Sequence, residues 1–209
     1  GGRRTFRGSY RDAPIQRLKE YTIATESDAK TLQREVLALA RLEHPSIARL
    51  SAVMQQRGQH GEALCYIELP YFPAGNLVHW LESTPPSDER AALLHLGSGQ
   101  IMQAVEYMHD RGITHGDIKP GNVFVDDREP ASGGVTLVLA EFDLLAGRAS
   151  FRGSPGQLTM APEVAAGSAD LRPGTDGCFQ ADVFCAGGLL YWAAAHRPGW
   201  PPRAVEWGP

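Results

Sequence analysis

The chain has 209 residues, 43% hydrophobic and 21% charged, enough to bury a sizeable core in one ordinary domain of one or two lobes; a disordered or fibrous chain is excluded. A net charge of -4 and a pI near 6.0 exclude a general electrostatic pull toward nucleic acid or anionic lipid. The longest apolar run, residues 183–195, is too short for a bilayer span of about 20 residues.

Cys65, Cys178 and Cys185 show no C-x-x-C spacing, so reduced thiols in an intracellular, cytoplasmic setting are expected. The basic run Arg3, Arg4, Arg7 and Arg11 reads as a solvated edge. The chain starts at Gly1 and stops at Pro209 with no closing element, as a piece of something longer would.

Residues 5–23 alternate polar and apolar around Gly8 and Pro14, predicting two short strands joined by a turn. From Ser27, as N-cap, a helix is predicted to residue 42 with Leu32, Val36 and Leu39 on one face. Glu35 falls inside that apolar arc, so it either has a cationic partner or snorkels from the stripe's edge. His44-Pro45 ends the helix, and residues 47–54 and 63–69 read as strands flanking a turn at Gly58 and Gly61.

The stiff connector Pro70-Tyr71-Phe72-Pro73-Ala74-Gly75 marks a lobe boundary. A short helix over 77–82 is closed by Pro85-Pro86, and a long amphipathic one follows over 88–111, with Leu94, Gly97, Ile101, Val105 and Met108 on one face. Gly97 and Gly99 each lower its propensity by roughly 1 kcal/mol relative to Ala, so packing must hold it. Then come a loop from His115 to Asn122, a hairpin over 123–125 and 135–140, a segment rich in Gly, Ser and Pro, and a buried helix over 181–195, apolar all round except for Asp182 near its start.

The string His115-Gly116-Asp117-Ile118-Lys119-Pro120-Gly121-Asn122 puts an acid, a base and an amide on a loop, and Glu141-Phe142-Asp143 directly follows the hairpin. With strands and one helix before the connector and helices after it, this order resembles the eukaryotic protein kinase domain from about Gly8 to Tyr191. The resemblance implies an α+β, bilobal fold: a strand-rich N-lobe over 1–69, a hinge over 70–76 and a mainly helical, C-terminally truncated C-lobe over 77–209.

By that resemblance Lys19 and Glu35 form the pair that places ATP phosphates, Leu69 is the gatekeeper, and Pro70 offers its carbonyl and Phe72 its N–H to adenine. Phe124 forms the floor of the slot. Asp117 accepts the substrate hydroxyl proton, Lys119 steadies the transferred phosphate, and Asn122 and Glu141 hold Mg2+. Ser154, Thr159 and Glu163 belong to the activation segment, with His115, Phe142 and Asp182 as structural anchors, and Lys119 points to the serine/threonine subclass.

Several positions depart from the pattern. Glu141 is one methylene longer than the usual Asp, Asp143 replaces a Gly and adds negative charge, Arg17 and Phe124 are larger than the residues expected around adenine, and the glycine-rich loop is degenerate at Gly1, Gly2 and Gly8. Gly116 stands where many kinases carry an Arg that reads phosphorylation, so phosphorylation at Ser150, Ser154 or Thr159 is not expected to be a strict on-switch. Two functions follow: a protein kinase transferring the γ-phosphate of ATP to serine or threonine of protein substrates, or a pseudokinase that binds or scaffolds. Protein substrate and ATP are the implied partners, with no nucleic acid and no membrane segment.

Overall fold

The computed structural model describes residues 4–8, 16–128, 134–142, 161–165 and 175–195. The chain divides into two compact units between Tyr71 and Phe72. Gly1, Gly2, Asp143, Ser150, Ser154 and Thr159 lie outside the described residues.

In the first unit, β1 (Arg4–Gly8), β2 (Gln16–Ile23), β3 (Ala52–Arg57) and β4 (Ala63–Pro70) form an antiparallel sheet in the order β1-β2-β4-β3. The register sets Lys19 opposite Ile67 and Tyr21 opposite Cys65, all four buried. Strand alternation therefore puts Lys19 and Tyr21 on the one inward face of β2.

Helix α1 (Glu26–Leu39) packs against β2 and buries Leu32, Glu35 and Leu39. It starts earlier than the predicted Ser27 cap. Thr25 Oγ1 accepts the Asp28 N–H at 3.1 Å and Asp28 Oδ2 accepts the Thr25 N–H at 2.8 Å, a reciprocal box that satisfies two terminal donors. These bonds from Thr25 favour the Asp28 carboxylate and lower its pKa. The helix also stops at Leu39 rather than residue 42, and β3 begins at Ala52 rather than 47, because the His44-Pro45 turn continues through an Ile47 N–H bond to the His44 carbonyl.

In the second unit, α2 (Leu77–Ser83) is capped by Asn76, and α3 (Asp88–His109) by Ser87. Arg90 is buried, and its guanidinium donates to the carbonyls of Leu81 at 3.2 Å and Thr84 at 2.6 Å, which ties the end of α2 to the start of α3. The hairpin β5 (Val123–Asp126) and β6 (Thr136–Leu139) packs on α3 through Leu137. A Cβ on Gly97 would stand 2.6 Å from the Leu137 methyl, so a glycine costly to helix propensity permits close approach of helix and hairpin.

The short helix α4 (Pro162–Ala165) precedes α5 (Asp176–Ala195), which packs on α3. Two expectations fail here. The helix starts at Asp176 rather than 181, so Asp182 sits in its second turn and is no N-terminal helix charge. Nor is it buried all round: Val183 is 46% and Tyr191 62% exposed, while Cys178, Asp182, Cys185, Leu189 and Trp192 face inward. An apolar sequence without period cannot say which face is covered.

Candidate active site

The loop after α3 is shaped from below by one carboxylate. Gly112 turns the chain at φ +68, Ile113 and Thr114 are buried, and then the His115 N–H donates to Asp182 Oδ2 at 2.7 Å and the Gly116 N–H to Asp182 Oδ1 at 3.0 Å. Gly116 lies at φ +80, a conformation that favours glycine. His109, at the end of α3, places Nε2 3.1 Å from Asp182 Oδ2 and packs its ring, tilted, against Phe179 with centroids 4.6 Å apart. The fully buried Asp182 thus spends both oxygens on the loop backbone and the preceding helix, a charge-assisted arrangement that fixes where the loop starts.

His115 continues the same frame upward. Its Nδ1 accepts the Asp117 N–H at 3.2 Å, so the ring proton sits on Nε2 and donates to the Ala140 carbonyl at 3.0 Å. The ring packs, tilted, against Phe142 with centroids 4.5 Å apart, and both side chains are buried. Burial depresses the His115 pKa against the opposing pull of Asp182, Asp117 and Glu141, which keeps the imidazole neutral.

Above this frame, Lys119 Nζ donates to Asp117 Oδ2 at 2.6 Å. Asn122, on the single 3-10 turn Pro120–Asn122, donates its amide nitrogen to Asp117 Oδ2 at 2.7 Å and to the Asp117 carbonyl at 2.8 Å. Two acceptors facing that nitrogen fix the amide orientation and leave its oxygen as the atom for a cation. The Ala140 N–H donates to the Asn122 carbonyl at 2.9 Å, so the loop and the segment leading to Glu141 are joined directly. Glu141 itself is half-buried at φ +60, the one non-glycine residue with positive φ among those described.

Nearby in this unit, Phe72 and Phe124 pair at 5.7 Å, and the Arg128 guanidinium lies 5.1 Å from the Phe72 ring centroid. Glu163 is half-buried in α4. The Cys185 thiol is pushed up to about 12 by burial, with Asp182, Asp117 and Glu163 adding in the same direction, so it is an inert thiol.

In the first unit, Lys19 Nζ and Glu35 Oε1 form a buried ion pair at 2.9 Å. The carboxylate on the apolar arc of α1 therefore has a cation. Tyr21 joins them: its hydroxyl donates to the same Oε1 at 2.8 Å, and Lys19 Nζ lies 5.6 Å from the ring centroid. Burial above all pushes the Tyr21 pKa up to about 12. Leu69 is buried opposite Arg17, and Pro70 ends β4 opposite Gln16.

The fold therefore gathers His115, Asp117, Lys119, Asn122, Phe142 and Asp182 into one bonded cluster of the second unit, and Lys19 with Glu35 into another of the first. Sequence reasoning missed His109, Tyr21 and the Ala140 carbonyl. Tyr21 had a legible signal, two residues from Lys19 and so on the same strand face.

A family model described as protein kinase domain matches residues 12–204, a span that includes both clusters. The chain belongs to the protein kinase domain family. Among curated relatives, this kinase domain is 28% identical over 191 residues to mitogen-activated protein kinase kinase kinase 3 of Arabidopsis thaliana, covering 90% of this chain and 26% of the relative. It is 29% identical over 185 residues to CBL-interacting protein kinase 11 of Oryza sativa subsp. japonica, covering 84% of this chain and 33% of the relative. The kinase domain thus spans about a quarter to a third of the length of these relatives. Among its described residues, no helix is long and apolar enough to cross a membrane.

Proposed function

We propose that this kinase domain transfers the γ-phosphate of ATP to serine or threonine hydroxyls of protein substrates. The observation that carries the reading is the Asp117 carboxylate held at 2.6 Å by Lys119 and at 2.7 Å by Asn122. A base, a phosphate-neutralising cation and an amide oxygen donor meet in one cluster, which is what phosphoryl transfer requires of a protein.

In this reading the substrate hydroxyl attacks the γ-phosphorus, its proton passes to Asp117, and the bond to the β-phosphate oxygen breaks, releasing ADP. Lys119 offsets charge on the transferring group. Lys19, anchored by Glu35, binds phosphate oxygens, the Pro70 carbonyl and Phe72 N–H receive adenine, and Leu69 and Phe124 bound the slot. Glu163, with Ser154 and Thr159, belongs to the segment that receives the peptide. The division of the chain at Tyr71 and Phe72 supports a hinge over 70–76.

The Asn122 amide oxygen and the Glu141 carboxylate are hard oxygen donors of the kind Mg2+ takes, and they would hold it with waters and phosphates completing the shell. Mg2+ would screen charge between the phosphates. Three free buried cysteines fit a reducing, cytoplasmic compartment. Protein substrate and ATP are the partners; nothing in the charge balance calls for nucleic acid.

A second reading, a pseudokinase that binds or scaffolds, is favoured by one observation: the metal-side residue is a Glu at φ +60. Radiolabelled phosphate transfer to a basic protein decides between them. Transfer by the wild type that falls at least about a hundredfold in Asp117→Asn, with ATP still raising the unfolding temperature of the variant, is the expected result. ATP and Mg2+ that neither stabilise the wild type nor yield transfer would overturn the catalytic reading.

A further inference from the structure

We propose that Tyr21 is a positioning residue for the phosphate-binding lysine, strapping Glu35 and with it α1 to β2 while Lys19 is shared with a nucleotide. The proposal rests on the kinase reading above and adds a third member to the Lys19–Glu35 pair.

Lys19 and Tyr21 lie two residues apart on β2, and both point into the buried layer beneath α1. Glu35 Oε1 accepts from both, at 2.9 Å from Lys19 Nζ and 2.8 Å from the Tyr21 hydroxyl. The aromatic face is also within cation–π reach of Nζ, at 5.6 Å from the centroid. One ring therefore steadies the cation while its hydroxyl steadies the anion.

The two donors respond differently to nucleotide. Triphosphate oxygens attract the ammonium and compete with Glu35 for its protons. A carboxylate buried on α1 then holds to β2 by a weakened bond, and the cost of stranding it is large. The phenol is neutral, feels that pull far less, and stays protonated because burial raises its pKa to about 12. It keeps Glu35, and so Lys19, in place during turnover.

Tyr21→Phe removes only the hydroxyl and keeps the ring, its packing and the cation–π contact. The expected result is a rise of about tenfold in KM for ATP with kcat changed less than about twofold, since the hydrogen bond to the Glu35 carboxylate is lost. In a Glu35→Gln background the same substitution is expected to add less than about twofold, because Tyr21 acts through Glu35. An unchanged KM, or an equal loss in both backgrounds, which generic packing would produce, overturns the proposal. Amide hydrogen exchange over residues 32–39 in nucleotide-free protein supplies an independent arm: about tenfold faster exchange in Tyr21→Phe is expected, and unchanged exchange overturns the strap. If the wild type transfers no phosphate, the kinase reading falls and the strap is judged on exchange alone.

Discussion

In the proposed catalytic reading, Glu141 combines two liabilities in one side chain. At φ +60 it occupies a backbone region that Asp and Asn adopt more readily than longer residues. Its carboxylate also stands one methylene further from the backbone than the family's Asp, and Mg2+ accepts little deviation from octahedral geometry. Glu141→Asp relieves both, so it is expected to raise the phosphoryl-transfer rate about ten- to a hundredfold while changing stability by less than about 0.5 kcal/mol. Initial rates at fixed ATP and Mg2+, with melting temperatures alongside, check this; an equal rate in the two proteins would put the limit elsewhere. At this scale Glu35 was legible because a carboxylate broke the helical apolar arc. Tyr21 carried a signal, its place two residues from Lys19 on one strand face, that its ordinary role as a strand former masked, and nothing local ties His109 to Asp182, 73 positions away.

The elements show where local signals suffice and where packing decides. Strand alternation and the connector prolines located β1, β2 and β4, whereas the start of α1 moved to the Thr25 capping box and the start of α5 to Asp176. Terminal residues answer to competing caps that one-dimensional patterns do not rank. On α3, two glycines carry the same propensity cost but different surroundings. Gly97 is buried, with the Leu137 side chain 2.6 Å from where a Cβ would stand, while nothing lies within 4 Å of that position at Gly99. Gly97→Ala is therefore expected to lose about 1–3 kcal/mol through overpacking, and Gly99→Ala to gain about 0.5–1 kcal/mol through propensity. Urea unfolding of the two single variants tests this, and shifts of the same sign would contradict the packing role assigned to Gly97.

Across the whole molecule, the order of strands, helices, loop and hairpin followed from period and punctuation, and the resemblance of that order and its motifs to the protein kinase domain made the fold class readable. The cohesion of the site was not readable: Asp182 reaches the loop backbone across 66 and 67 positions, and the Ala140 carbonyl meets His115 through the turn of a hairpin. This cohesion couples global stability to pH. His115 is neutral in the folded protein with its pKa lowered by burial, whereas in the unfolded chain it takes up a proton near its ordinary value of 6.5. Below that value the unfolded state binds more protons, so stability is full above about pH 6.5 and declines as the pH falls toward the folded pKa, by at most about 1.4 kcal/mol per pH unit for this group. Between about pH 6.5 and 5.5 most carboxylates remain ionised, which isolates the histidine contribution. Unfolding free energies of the wild type should slope downward through that window, while His115→Phe, which keeps a ring against Phe142 but cannot titrate, should give a flatter profile from a lower starting stability. Parallel profiles would show that the buried imidazole is not the group that responds.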